Sequence, residues 1–410
     1  MSASASAPRL NLPLPVIIMA GCIIAAIGFG TRGAFGLFTL PLTADLGLTR
    51  QEWGMAMAIQ NLAWGLTQPF AGAMADKYGS ARVLAFGGLI YAAGVLGMAF
   101  SPDILSLTLT TGIITGVGIA VASFGVVMAA FGRVVPAEKR SFVFGIATAA
   151  SSAGQFIFAP LGQGFISAFG WQMALVWIAL ILLLIVPLSL ALRGRAESVP
   201  GEADMKFMTA LSRAWGYGSY RLLVIGFFVC GFHLAFIGVH MPAYLVECGL
   251  SPEVGSWAIA VIGLFNVAGS LLSGWLGSHV PKQMLLALIY FLRALAIAGF
   301  VFLPVTEISA YIFGAVMGLL WLSTVPLTAG LVTLFFGPRY MGMLYGIAFL
   351  SHQIGSFFGV WLGGLVYDLT GAYDLMWYLG ILLGLASAAV HIPINETKDK
   401  NFALITAAQH

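Results

Sequence analysis

The chain is a series of long apolar stretches separated by short polar gaps. A bilayer core about 30 Å thick takes roughly 20 apolar residues per helix. Twelve stretches qualify: 14–43, 52–74, 82–101, 105–131, 142–168, 171–192, 220–245, 254–277, 283–303, 308–335, 341–368 and 374–394. The one long gap, 193–219, holds Arg193, Arg195, Glu197, Glu202, Asp204, Lys206 and Arg213, and it splits the stretches six and six. The pattern predicts an all-α membrane protein, twelve transmembrane helices in two six-helix bundles at 14–192 and 220–395. Residues 193–219 are the expected cytoplasmic linker. Residues 1–13, small and polar, read as a disordered cytoplasmic tail, and 396–410 as a second cytoplasmic tail. The first apolar run joins a longer pattern, so no cleavable signal peptide is expected.

Composition narrows the class. Hydrophobic residues make up 60% of the 410 and charged residues 8%, against about 25% charged in a soluble domain. So few charges cannot cover a water-facing surface, which excludes a soluble enzyme. A net charge of +3 is too small to imply a nucleic-acid partner. With both termini placed in the cytoplasm, fifteen of the eighteen Lys and Arg residues fall on the inside and Arg50 alone outside, a strong positive-inside signal. Arg32 and Arg293 lie within stretches. Cys22, Cys230 and Cys248 give neither a disulfide framework nor a zinc site. No phosphate-binding loop and no clustered catalytic constellation is present. Neither a cofactor nor a metal is therefore expected, and an enzyme or a receptor is the remote reading.

The halves repeat. Gly72-Ala-Met-Ala-Asp76-Lys77-Tyr-Gly79-Ser-Ala-Arg82 aligns with Gly274-Trp-Leu-Gly277-Ser-His279-Val-Pro-Lys282 at an offset of 202. Gly145-Ile-Ala-Thr-Ala-Ala-Ser151-Ser152-Ala-Gly154-Gln155-Phe156 aligns with Gly346-Ile-Ala-Phe-Leu-Ser-His352-Gln353-Ile-Gly355-Ser356-Phe357 at 201. Duplicated units of this kind build transporters with the binding site between the halves, near mid-membrane.

The loop Gly72-x-x-x-Asp76-Lys77-x-Gly79-x-x-Arg82 resembles the signature between helices 2 and 3 of the major facilitator superfamily. Gly28-Phe29-Gly30-Thr31-Arg32-Gly33-Ala-Phe35-Gly36 resembles the first helix of its monocarboxylate and oxalate:formate transporter group, which carries a cation at a position like Arg32. In the eleventh helix that group often has a charged residue where this chain has His352. The chain departs from the group in helix 8: where an Arg is usual, Gly263-Leu-Phe-Asn266-Val-Ala-Gly-Ser270 offers Asn266 and Ser270. The resemblance implies alternating access, a monomer in a bacterial inner membrane, and a conformational latch at Asp76, Lys77 and Arg82.

A cation at mid-bilayer costs from about 3 kcal/mol upward and persists where it faces a wet cavity or a partner. The fifteen Asp and Glu residues fall at stretch ends or in gaps. The missing counter-ion of Arg32 is then a small anionic substrate, or else Arg32 snorkels or binds helix carbonyls. Arg293 reads as structural, bonded to carbonyls. Gln60, Asn61, Trp64 and Gln68 form a polar and aromatic stripe that serves helix packing or cavity lining. Candidate substrate ligands are Arg32, Asn61, Trp64, Asn266, His352 and Gln353. His352 and His233 are candidates for a coupled proton, with packing histidines as the alternative. The leading expectation is proton symport of a small organic anion, most simply a monocarboxylate. Anion exchange and efflux of an amphipathic compound are the competing ones.

Overall fold

The computed structural model describes residues 12–194 and 207–398. The expected tail through residue 11, the linker centre 195–206 and the chain from 399 onward lie outside the described residues. Ten helical stretches are long and apolar enough to cross a membrane. One of them, Phe142–Leu192, turns at Gly170, whose φ of 78° and ψ of 164° break the helix. A left-handed φ favours glycine, which has no Cβ to clash. That stretch is therefore two spans. A further helix, Arg50–Tyr78, is long enough at 29 residues but carries the polar stripe that dilutes its apolarity. The total is the expected twelve.

In chain order they are α1 (Leu14–Leu46), α2 (Arg50–Tyr78), α3 (Ser80–Ala99), α4 (Ile104–Val134), α5 (137–169), α6 (171–192), α7 (Gly218–Glu247), α8 (Pro252–Leu276), α9 (Lys282–Phe302), α10 (Glu307–Phe336), α11 (Pro338–Thr370) and α12 (Asp374–His391). A short helix, Phe207–Gly216, leads into α7.

Among the described residues four spans are irregular, one of them α6, which turns at Leu183 and Leu184 and ends in a 3-10 turn at Leu190–Leu192. α1 tightens into a 3-10 turn at Phe35–Phe38, and α4 widens into a π turn at Thr108–Ile114. α10 breaks between Leu320 and Thr324. Pro326 follows the α10 break; it has no N–H to donate and its ring crowds the carbonyl four residues back.

Packing within the halves is duplicated. α1 lies on α5 as α7 lies on α11, α2 meets α4 as α8 meets α10, and α3 meets α6 as α9 meets α12. The close approaches repeat as well. A Cβ on Gly154 of α5 would run into the Ala26 carbonyl of α1, and one on Gly355 of α11 into the Phe228 carbonyl of α7. These pairs sit 201 and 202 residues apart. Small residues let backbones touch where lipid supplies no hydrophobic drive for association. The halves join along α2 with α11 and α5 with α8.

Candidate substrate site

Glycine sets the position of Arg32. A Cβ on Gly30 would stand 2.6 Å from the Gly154 carbonyl oxygen, and one on Gly33 2.9 Å from Gln155 Cγ. α1 can therefore sit directly on α5, with Arg32 directed toward α2. There its guanidinium donates to Asn61 Oδ1 at 2.7 Å and lies 4.9 Å from the Trp64 ring centre. Its buried Nε has no hydrogen-bond partner. Among the described residues no carboxylate pairs with it. Asn61 is itself held, donating to the Met57 carbonyl at 2.9 Å. Trp64 Nε1 donates to Gln68 Oε1 at 2.9 Å, and Gln68 Nε2 to Ser123 Oγ at 3.0 Å. The stripe read from the sequence thus has two uses: Asn61 and Trp64 serve Arg32, and Gln60 binds α4 through the Thr111 carbonyl at 2.9 Å.

Arg32 opens on a cavity of about 30 Å³ between the halves. Asn61 and Gln155 line it with Arg32, while Leu234 and Ala235 of α7 and Trp321 of α10 close it from the other half. A water needs roughly 10–15 Å³ on this measure, so the space holds about two. Admission of anything larger requires these walls to separate.

The other expected ligands fall further out. Trp64 packs edge-on to Phe349 of α11, 5.3 Å between ring centres, and Phe349 stacks on His352 at 5.7 Å. Aromatic contact therefore links His352 to Arg32 across the halves, and His352 Nδ1 lies 3.1 Å from Gln353 Oε1. Gln353 packs against Gly65 of α2. His233 is buried toward α12, its Nε2 2.8 Å from the Gly380 carbonyl. Asn266, fully buried, is at the junction of α5, α8 and α10 rather than on the cavity. It donates to Ser152 Oγ at 2.9 Å, and its Oδ1 accepts from Leu322 N at 3.0 Å. Arg293 is fully buried and donates to the carbonyls of Leu320 and Trp321 at 2.5–3.2 Å.

The two ends of the molecule differ. Asp76 lies 3.6 Å from Arg133 of its own half, and Arg133 also donates to Ser80. Lys77 sits over Tyr78, and Arg82 is exposed. At the opposite end the contacts run between halves. Asp368 of α11 accepts from the backbone N–H groups of Arg50 at 3.1 Å and Gln51 at 2.7 Å, capping α2. Arg50 pairs with Glu247 of α7 at 3.1 Å and lies over the Tyr367 ring. Sequence reasoning left this clasp unassigned, although it singled out Arg50 as the one outer cation. The partners are hundreds of residues apart, and no local spacing announces them.

Known proteins resemble this chain in sequence and in fold. The sequence pattern of the Major Facilitator Superfamily matches residues 20–360. The chain is 26% identical over 383 residues to an uncharacterized MFS-type transporter, YcxA, of Bacillus subtilis (strain 168), covering 90% of this chain and 92% of that one. It is 25% identical over 394 residues to monocarboxylate transporter 13 of Rattus norvegicus, covering 92% and 88%. With human monocarboxylate transporter 11 the identity is 24% over 401 residues, covering 92% and 82%. Among solved structures, a D-xylose-proton symporter superposes with a TM-score of 0.72 at 14% identity, over 93% of this chain and 97% of the other. A bacterial homolog to the human lysosomal transporter Spinster gives 0.71 at 13%, over 97% and 98%. Relatives and fold are those of transporters and not of enzymes. The match over most of the chain, together with the duplicated six-helix architecture, places this multi-pass membrane protein in the Major Facilitator Superfamily.

Proposed function

We propose that this transporter carries a small monocarboxylate in symport with a proton. The observation that supports this is Arg32, a cation on a cavity between the halves, with one amide partner and no carboxylate. A substrate carboxylate supplies the missing charge. Arg32 binds it, Asn61 fixes the guanidinium, and Trp64 backs its face; a cation–π contact contributes about 0.5–2 kcal/mol. Gln155 offers a further polar edge, and Trp321 with Leu234 receives the apolar body. His352, joined to this site through Phe349 and Trp64, takes the proton. The relatives named as monocarboxylate transporters agree with this reading. The carrier works as a monomer in a bacterial inner membrane with both termini inside, as the Lys and Arg asymmetry favours.

Uptake into proteoliposomes loaded with a pH-sensitive dye tests it, with lactate, pyruvate, formate, oxalate and aromatic acids offered and protein-free vesicles subtracted. Acid-dependent internal acidification that is lost in Arg32→Ala and uncoupled in His352→Ala is the expected result. Normal transport by Arg32→Ala, or no protein-dependent signal with any acid, sinks the carboxylate reading. Efflux of an amphipathic compound, which a wall part polar and part apolar would also suit, then takes its place.

A further inference from the structure

Arg293 is on α9, outside the cavity lining, yet it bonds to the backbone of a lining residue, Trp321. α10 breaks between Leu320 and Thr324, and the break frees carbonyls that a continuous helix would have used. Two of them, on Leu320 and Trp321, accept three hydrogen bonds from Arg293 at 2.5–3.2 Å. The same break is held from α8, where Asn266 Oδ1 accepts from Leu322 N and Ser273 donates to the Ser323 carbonyl. From α7, Cys230 Sγ meets Thr324 Oγ1 at 3.3 Å. Trp321 is the first residue of the break, and its side chain lines the Arg32 cavity.

We infer that Arg293 is a positioning residue that sets Trp321 against the cavity and thereby the size of the acid admitted. The part of this inference that concerns the acid rests on the carboxylate reading; the placement of Trp321 does not. A guanidinium suits the task because its planar fork spans two successive carbonyls, where a lysine ammonium is a single point of charge. Asn266 extends the brace to the other half through Ser152, so the wall is tied to the interface along which the halves move.

The test has an arm that needs no substrate. The protein is labelled with 5-fluorotryptophan, and the Trp321 resonance among the ten tryptophans is assigned with Trp321→Phe. Arg293→Gln is expected to shift that 19F resonance while those of Trp53 and Trp171, in the other half, hold still. Arg293→Lys is expected to shift it less, and it decides the matter alone if Arg293→Gln does not fold. In the transport arm, KM for benzoate relative to formate is expected to fall roughly tenfold in Arg293→Gln, the scale of a small change in pocket size, with kcat little changed. An unmoved Trp321 resonance, or one that moves together with all the others, overturns the inference. So does an unchanged size preference when the parent transports these acids. If the parent moves none of them, the carboxylate reading has failed, and the resonances still decide whether Arg293 places Trp321.

Discussion

Arg32 and Arg293 lie away from the ends of their membrane spans, and their surroundings differ. Arg293 makes three hydrogen bonds to carbonyls freed by a broken helix and is sealed from solvent. Arg32 makes one, to an amide, with an aromatic face beside it and a cavity before it. Both burials are costly in isolation. At Arg293 the protein itself supplies the compensation, while at Arg32 it leaves room for a ligand to do so. Each keeps one buried nitrogen without a partner, Nε of Arg32 and Nη1 of Arg293, so the role of a buried cation is read from the groups it holds and from the space before it. Depth alone does not distinguish the two.

The largest effect expected from that contrast is on transport. Arg32→Ala should lower kcat/KM for the carried acid by about 2–5 kcal/mol of lost recognition, roughly 30-fold to several-thousand-fold. Its thermal unfolding temperature should hold or rise, because a costly charge has gone. Arg293→Ala should do the reverse: stability falls by about 3 kcal/mol as buried carbonyls lose their donor, read by thermal unfolding in detergent. If Arg32→Ala proves the less stable of the two, the contrast is broken. Asn61→Ala should weaken acid binding by about 1.5–3 kcal/mol, the worth of a hydrogen bond to a charged group, and KM reports it. Asp368→Asn weakens the cap on α2 by about 0.3–1 kcal/mol. Labelling of an engineered Ala235→Cys by an impermeant thiol reagent from the Arg50 side should rise up to about fivefold. Trp64→Phe keeps an aromatic face under Arg32 and should change KM least, by less than 1 kcal/mol.

Much of the fold was legible because lipid demands it. Apolar length, the polar gap at 193–219 and the 201-residue repeat give twelve spans in two bundles without reference to any contact. The breaks in α1, α4 and α10 were not legible, because a local 3-10 or π turn leaves composition unchanged. At the candidate site the polar and aromatic members, Arg32, Asn61 and Trp64, stood out as polar or bulky groups in lipid. Leu234 and Ala235 carry no such mark, and only the meeting of the halves makes them walls. Asn266 was singled out because it stands where the resembled group usually carries an Arg, but that position does not say whether a side chain faces a cavity or a neighbouring helix. Its partners, Ser152 and Leu322 N, account for it as a brace.

The cap on α2 has a consequence for biosynthesis. Thr49 and Glu52 close part of that helix start locally, through reciprocal hydrogen bonds at 2.9 and 3.1 Å. The N–H groups of Arg50 and Gln51 are left to Asp368, 318 residues further along from Arg50. At about 5–20 residues per second, a ribosome needs roughly 15 to 65 s to cover that distance. Through that interval the nascent first half stands in the membrane with the start of α2 capped only by its own turn and by water. A nascent chain released before residue 368 would never receive the second part of that cap.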